Sequence, residues 1–156
     1  MSIKEHPPQV IKNNDNLHVP VLLDAVLDLL KPAAGESYLD LTAGYGGHAS
    51  RILKQTENFQ DSVLVDRDDY AIAHLQPYGQ QGVELLHTDF MSAARELTET
   101  GRQFSIILVD LGVSSPQLDQ EQRGFSFRQS APLDMRMDRR SELTAAQVVN
   151  SFSESE

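Results

Sequence analysis

Four aspartates each close a short apolar run: Asp40 after YL, Asp66 after SVLV, Asp89 after VELLHT and Asp110 after FSIILV. Between the first of them and His48 lies a turn that contains Gly44, Gly46 and Gly47. A carboxylate at the end of a strand can accept the hydroxyls of a ribose or face a cationic ligand. A glycine-rich turn lets backbone approach a ligand where any Cβ would collide, and a helix that starts there offers unpaired N–H groups. The stretch YLDLTAGYGGH, Tyr38 to His48, therefore reads as a cofactor cradle or, equally, as an ordinary β-to-α turn that uses glycine for its left-handed conformation.

Asp66 stands twenty residues after Gly46, where a carboxylate can accept both hydroxyls of a ribose. The alternative is a cap for the next helix, a role that Asp68 or Asp69 fills just as well. Phe90 follows the third run, where its face either stacks on an adenine or joins the core. Two cofactors compete for the cradle. Gly44, Gly46 and Ala49 fit the G-x-G-x-x-A pattern of a dinucleotide-binding oxidoreductase. Asp40, placed by this reading at the lip of the turn, would repel a pyrophosphate and suits the ammonium or sulfonium of S-adenosylmethionine. Asp110 adds a second acid and the turn holds no base, which favours the cationic cofactor.

The elements that must position these residues follow from periodicity. Val19, Leu22, Leu23, Val26 and Leu30 recur at helical spacing from His18 onward, with Pro20 in the first turn and Lys31-Pro32 as the stop. His18 reads as a structural residue near the entry turn. Strands are expected over 38–41, 62–66, 83–87 and 104–110, and helices over 47–55, 68–76 (ending before Pro77) and 92–100. Nearly continuous apolar runs between amphipathic helices indicate buried parallel strands with crossover helices, so the fold class is α/β, doubly wound. In such a sheet the ligand sits outside the carboxyl ends of the strands.

After Asp110 the period is lost for some thirty residues, yet Phe125, Phe127, Leu133, Met135 and Met137 are too apolar for simple disorder. Thr144 to Gln147 resembles a capping box, so a last helix begins near Ala145. Residues 1–16 read as a loose arm, and the ending SFSESE looks like a truncation.

A chain of 156 residues reads as one domain. It has no cysteine, which excludes disulfides and thiolate metal sites. Its start lacks the apolar core of a signal peptide, and its longest aliphatic run, Ile106 to Val109, is too short to span a bilayer; a soluble intracellular protein is expected. No histidine and carboxylate group has ligand spacing, so no metal is expected. The net charge of −10 argues against a globally basic nucleic-acid binder. Residues 1–122 hold eight basic and eighteen acidic side chains, whereas 123–140 carry Arg123, Arg128, Arg136, Arg139 and Arg140 against Asp134 and Asp138. Those arginines suit phosphate contact, or else they pair with the neighbouring aspartates on a solvated loop.

The motifs TAGYGGH (42–48), VDRD (65–68), DLGVSSPQLD (110–119), RGFSFR (123–128) and PLDMRMD (132–138) together resemble the bacterial 16S ribosomal RNA cytosine-N4 methyltransferase family, RsmH or MraW, over roughly residues 17–150. The resemblance implies a Rossmann-like class I methyltransferase sheet, here incomplete with its first four parallel strands. Residues 17–140 would be the N-terminal part of the methyltransferase domain and 141–156 the start of a helical insertion. It implies S-adenosyl-L-methionine held by Gly46, Gly47, His48, Asp66, Phe90, Asp110 and Gln117, and a cytoplasmic enzyme that methylates N4 of one cytidine in the decoding region of 16S rRNA. Asp110 is the first candidate to accept the proton of the amine, beside a role in cofactor binding alone. The cytidine would be unstacked into the opening, with Phe125, Phe127 and the arginines placed to receive it. Members of the family are longer, so an inactive binding module stays an alternative. An exposed sheet edge would also favour pairing with another chain, as in a dimer.

Overall fold

The computed structural model describes residues 20–128 and 130–155, apart from the side chains of residues 115 and 116. The expected arm, with His18 and Val19, lies outside the described residues. Strands β1 (Tyr38–Asp40), β2 (Val63–Asp66), β3 (Glu84–His87) and β4 (Ile106–Leu108) form one parallel sheet in the order β3-β2-β1-β4. The chain steps outward from β1 to β3 and then returns to the far side of β1. Its direction therefore reverses between β1 and β4, and the carboxyl ends of those two strands frame the crevice where such sheets bind ligands.

Alternation along the strands divides the core in two. Tyr38, Leu64 and Ile106 face α2 (Gly47–Thr56) and α3 (Asp69–Gly79), where Ile52, Leu53 and Leu75 are fully buried, and Leu27 and Leu30 of α1 (Leu23–Leu30) join them. Leu39, Val63 and Val65 face the opposite way, against Ala93 and Leu97 of α4 (Phe90–Glu99). Helices on both faces explain why the strands read as continuous apolar runs.

Several boundaries differ from expectation. The first helix starts at Leu23, because Leu22 is left-handed at φ 57°. Helix α3 passes through Pro77 to Gly79. A proline in the last turn forfeits only its own N–H, and Gln81 Nε2 donates to its carbonyl at 3.0 Å. Helix α4 starts two residues early because Asp89 caps it, accepting from Met91 N and Ser92 N. Strand β4 keeps three of its seven expected residues, since β1 offers only Tyr38–Asp40 as a partner and no strand among the described residues pairs its other side. Ile107 and Val109 are consequently 54% and 44% exposed.

The aperiodic stretch after Asp110 is ordered by turns. Helix α5 (Ser115–Asp119) and a 3-10 turn (Glu121–Arg123) lead into Gly124, whose φ is 73° and whose added Cβ would strike the carbonyl of Pro132. Met135 N donates to Arg123 O at 3.0 Å, which closes the bend. Helix α6 (Ala145–Ser151) begins with the expected Thr144–Gln147 capping box and docks back, Ala145 N donating to Asp134 O at 2.8 Å. Among the described residues no helix is long and apolar enough to cross a membrane.

Candidate functional site

A cavity of about 510 Å³ opens at the carboxyl ends of the strands, within the usual range for small-molecule sites. One side is the β1–α2 turn with Gly44, Gly47 and His48, and the floor carries Asp66. Phe90 and the 110–117 segment, with Asp110, Ser114 and Gln117, complete it.

The three glycines answer three different demands. At Gly47 a Cβ would run into the ring of Pro20. Gly46 is left-handed at φ 80°, and a Cβ there would stand 3.0 Å from Tyr78 Cε2. Gly44, at φ 53°, meets nothing closer than Thr42 O at 3.9 Å, so its bare backbone faces open space. Gly46 is also the N-cap of α2 and provides no side-chain acceptor, which leaves the N–H groups at the head of that helix unclaimed by a cap.

Asp66 ties the turn down. Its Oδ2 accepts from Gly44 N and its Oδ1 from Asp68 N, both at 2.8 Å. Burial pushes its carboxyl above the usual carboxylate range. Each oxygen retains a second lone pair, so acceptance from a ligand hydroxyl is still available. Phe90, 39% exposed, presents its ring at the cavity as the first residue of α4. Asp110 is exposed on the wall, and its backbone N–H donates to Thr42 Oγ1 at 2.7 Å, which fastens the end of β4 to that of β1. His48 is buried on the wall and among the described residues its Nε2 has no hydrogen-bond partner, nor has Ser114 Oγ. Buried polar atoms without partners are rare in folded chains, and two of them belong to residues that line this cavity.

Asp40 corrects the sequence reading. It is 2% exposed and lies beneath the turn, away from the lip. Its Oδ2 accepts from Tyr38 Oη at 2.6 Å and its Oδ1 from Thr42 N at 3.1 Å. Burial raises its pKa from 3.8 to about 6, and the charges of Asp66 and Asp110 push the same way. The acids lining the cavity are therefore Asp66, Asp89 and Asp110, of which Asp89 is engaged in capping α4. Arg67 lines it too, a cation that sequence reasoning did not place there; its Nη2 donates to Met137 Sδ at 2.8 Å. The lining remains net negative.

Gln117 lies on the wall with both ends of its amide committed, Oε1 accepting from Ser114 N and Nε2 donating to Asp68 Oδ2, each at 3.0 Å. The arginine-rich segment is mostly neutralised. Arg123 is buried in an ion pair with Asp68, Arg136 forks onto Asp134 and Arg140 onto Asp138. The expectation of five phosphate-seeking arginines thus gives way to the pairing alternative for three of them, because each has an aspartate within reach. Arg128 stays exposed beside the fully exposed Phe127. The fold also gathers Asp69, His87 and Asp138, distant in sequence, with ligand atoms within 4.8 Å of one another. The cation already seated there is the Arg140 guanidinium on Asp138, while His87 Nε2 contacts Asp69 Oδ1 at 3.1 Å.

The cavity can thus take a ligand with a hydroxyl pair for Asp66, a flat ring for Phe90, an acceptor for the head of α2 and a cationic part near Asp110.

Residues 15–156 match the sequence model described as the MraW methylase family. The ribosomal RNA small subunit methyltransferase H of a Cyanothece species is 49% identical over 145 residues, which take in 90% of this chain and 47% of that protein. Its namesake in a Synechocystis species is 45% identical, over 88% of this chain and 46% of that protein. The one from Synechococcus elongatus is 46% identical, over 89% and 46%. The chain spans about half the length of the curated relatives it matches.

Proposed function

This chain belongs to the MraW methylase family, and from that premise we propose that its cavity holds S-adenosylmethionine for methylation of the N4 amine of a cytidine in 16S ribosomal RNA. The observation that carries the reading is the lock between Gly44 N and Asp66 Oδ2 at 2.8 Å, beside the uncapped head of α2. It sets an open glycine backbone, a carboxylate and free N–H groups around one cavity.

When bound, S-adenosylmethionine supplies a methyl group activated by a sulfonium. Asp66 would accept the ribose hydroxyls through its unused lone pairs, and Phe90 would stack on the adenine. Gly47 and His48 at the head of α2 would receive the carboxylate end, whereas Gly46, expected to join them, donates its N–H to Ala43 O at 2.9 Å and lies outside the cavity lining, shaping the turn instead. Asp110, exposed at the mouth, faces the cationic part of the cofactor and the incoming amine. Transfer of the methyl to N4 would break its bond to sulfur and leave the neutral thioether as product, and the amine would lose a proton; the Asp110 carboxylate would hold the amine and take that proton. Because chemistry of this kind depends mainly on positioning, few groups are needed. The RNA substrate would contact Phe127 and Arg128, where an aromatic face and a guanidinium stand exposed together. Small-subunit RNA as the substrate implies a cytoplasmic site of action.

Calorimetric titration tests the cofactor. S-adenosylmethionine should bind and NAD should not; the NAD arm matters because burial of Asp40 removes one objection to a pyrophosphate. Preferential NAD binding would sink the reading. For the reaction, small ribosomal subunits are incubated with labelled cofactor and this chain. Asp110→Asn should lose transfer while retaining cofactor binding if Asp110 is catalytic, and lose both if it only binds cofactor.

A further inference from the structure

Asp68 and Arg123, 1% and 3% exposed, form an ion pair at 2.8 Å. Asp68 Oδ1 also accepts from Tyr70 N, which caps α3, and its Oδ2 accepts from Gln117 Nε2. Arg123 Nη2 donates onward to the carbonyls of Arg136 and Met137, both at 3.1 Å. The guanidinium lies 5.4 Å from the ring centre of Tyr70 and 5.7 Å from that of Phe125. The pair therefore joins three separate pieces of the 110–143 segment to the β2–α3 turn: Gln117 through Asp68, Arg123 itself, and through Arg123 the carbonyls of Arg136 and Met137.

Two of those pieces form cavity wall, at Gln117 and Met137. The turn they are tied to begins with Asp66, whose Oδ1 holds Asp68 N. Apolar packing does not replace this tie, since Leu111, Val113, Leu133 and Met135 are 67%, 50%, 45% and 46% exposed. A buried ion pair is a poor source of stability, because its desolvation cost is comparable with its attraction, but it fixes geometry closely when its hydrogen bonds are directional.

We propose that Arg123 and Asp68 are positioning residues: their buried pair holds the Gln117 and Met137 wall against the Asp66 side, so cofactor affinity depends on two side chains outside the cavity lining. The proposal rests on the reading of the cavity as a cofactor site.

Three variants separate positioning from bulk stability. Arg123→Met strands a buried carboxylate and destabilises the fold. Arg123→Met/Asp68→Asn removes both charges, keeps a capping side chain on α3 and restores the denaturation midpoint. Arg123→Lys keeps the charge but cannot reach Asp68 and both carbonyls at once. The readouts are the urea midpoint, the dissociation constant for S-adenosylmethionine and hydrogen exchange of the amides of residues 133–138. The double variant should regain a wild-type midpoint yet bind roughly tenfold more weakly or worse, the loss expected when one anchoring interaction of about 1.4 kcal/mol is withdrawn. Its 133–138 amides should exchange faster, and Arg123→Lys should fall between. A double variant with wild-type midpoint, affinity and exchange overturns the proposal. If the double variant fails to fold, Arg123→Lys decides: wild-type affinity and exchange in it refute the positioning role. If the unaltered protein binds no S-adenosylmethionine, the cavity assignment fails, and the hold of the pair on the segment is judged by exchange alone.

Discussion

The two walls of the cavity are held by different forces. The β1–α2–β2 side rests on Tyr38, Ile52, Leu53 and Leu64, all fully buried and packed in one cluster. In the 110–143 segment the only buried side chains among the described residues are Gln117 and Arg123. An apolar wall is cooperative, because every side chain depends on its neighbours for exclusion of water. A wall held by directed polar bonds can be dismantled one contact at a time. The contrast places the rigid side under the proposed cofactor and the adjustable side toward the proposed RNA.

The largest expected effect is on the polar wall. Arg123→Met, which leaves Asp68 buried and unpaired, should cost about 3–5 kcal/mol by urea denaturation. Next comes Leu64→Ala on the apolar wall, at about 2–5 kcal/mol. The two should differ in where they act: Leu64→Ala should speed exchange across the whole sheet, and Arg123→Met first in the 110–143 segment. Identical exchange patterns would break the contrast between the walls.

Asp40 gives the apolar side a strong pH dependence in the acid range. Its folded pKa of about 6 lies above the unfolded value of 3.8, so between those values the native state binds more protons than the unfolded chain. The stability it contributes is complete below pH 3.8 and is lost as pH rises through 6, a change of roughly 3 kcal/mol by the linkage relation. Asp40→Asn should flatten that decline in a urea series from pH 4 to 8; an unchanged slope would assign the decline to other groups. Gly46→Ala should cost about 1–2 kcal/mol from its left-handed backbone alone, and it should weaken cofactor binding by displacing the turn.

The smallest effects belong to the surface forks. Hydrogen bonds from Arg136 and Arg140 lower the pKa of Asp134 and Asp138 to about 2. Their contribution is present above the ordinary carboxylate range and fades as pH falls toward 2. Asp134→Asn should leave the urea midpoint at pH 7 nearly unchanged but make the segment more protease-sensitive. A large shift in midpoint would mean that the polar wall supports the fold as a whole.

The alternating apolar runs fixed four strands and their helices to within a few residues, and the Thr144–Gln147 box placed the start of the last helix at Ala145. The glycine turn and Asp66 were legible for the same reason: local backbone demands are met by local residue types, and the pair sits at the end of one strand and the start of the next turn. Phe90 and Asp110 were legible as strand-end residues, since a parallel sheet brings all such ends to one edge.

The depth of Asp40, the pairing of Arg123 and the gathering of Asp69, His87 and Asp138 could not be read in this way. Each depends on residues that lie far apart in the chain or on which side of a strand end faces inward, and no periodicity encodes either. Asp68 and Arg123 are fifty-five positions apart. Sequence established what kinds of groups stand at the strand ends, because composition and spacing are local properties. Only the folded chain decided which charges face the cavity and which cancel within the protein, because burial and pairing arise when distant segments exclude water together.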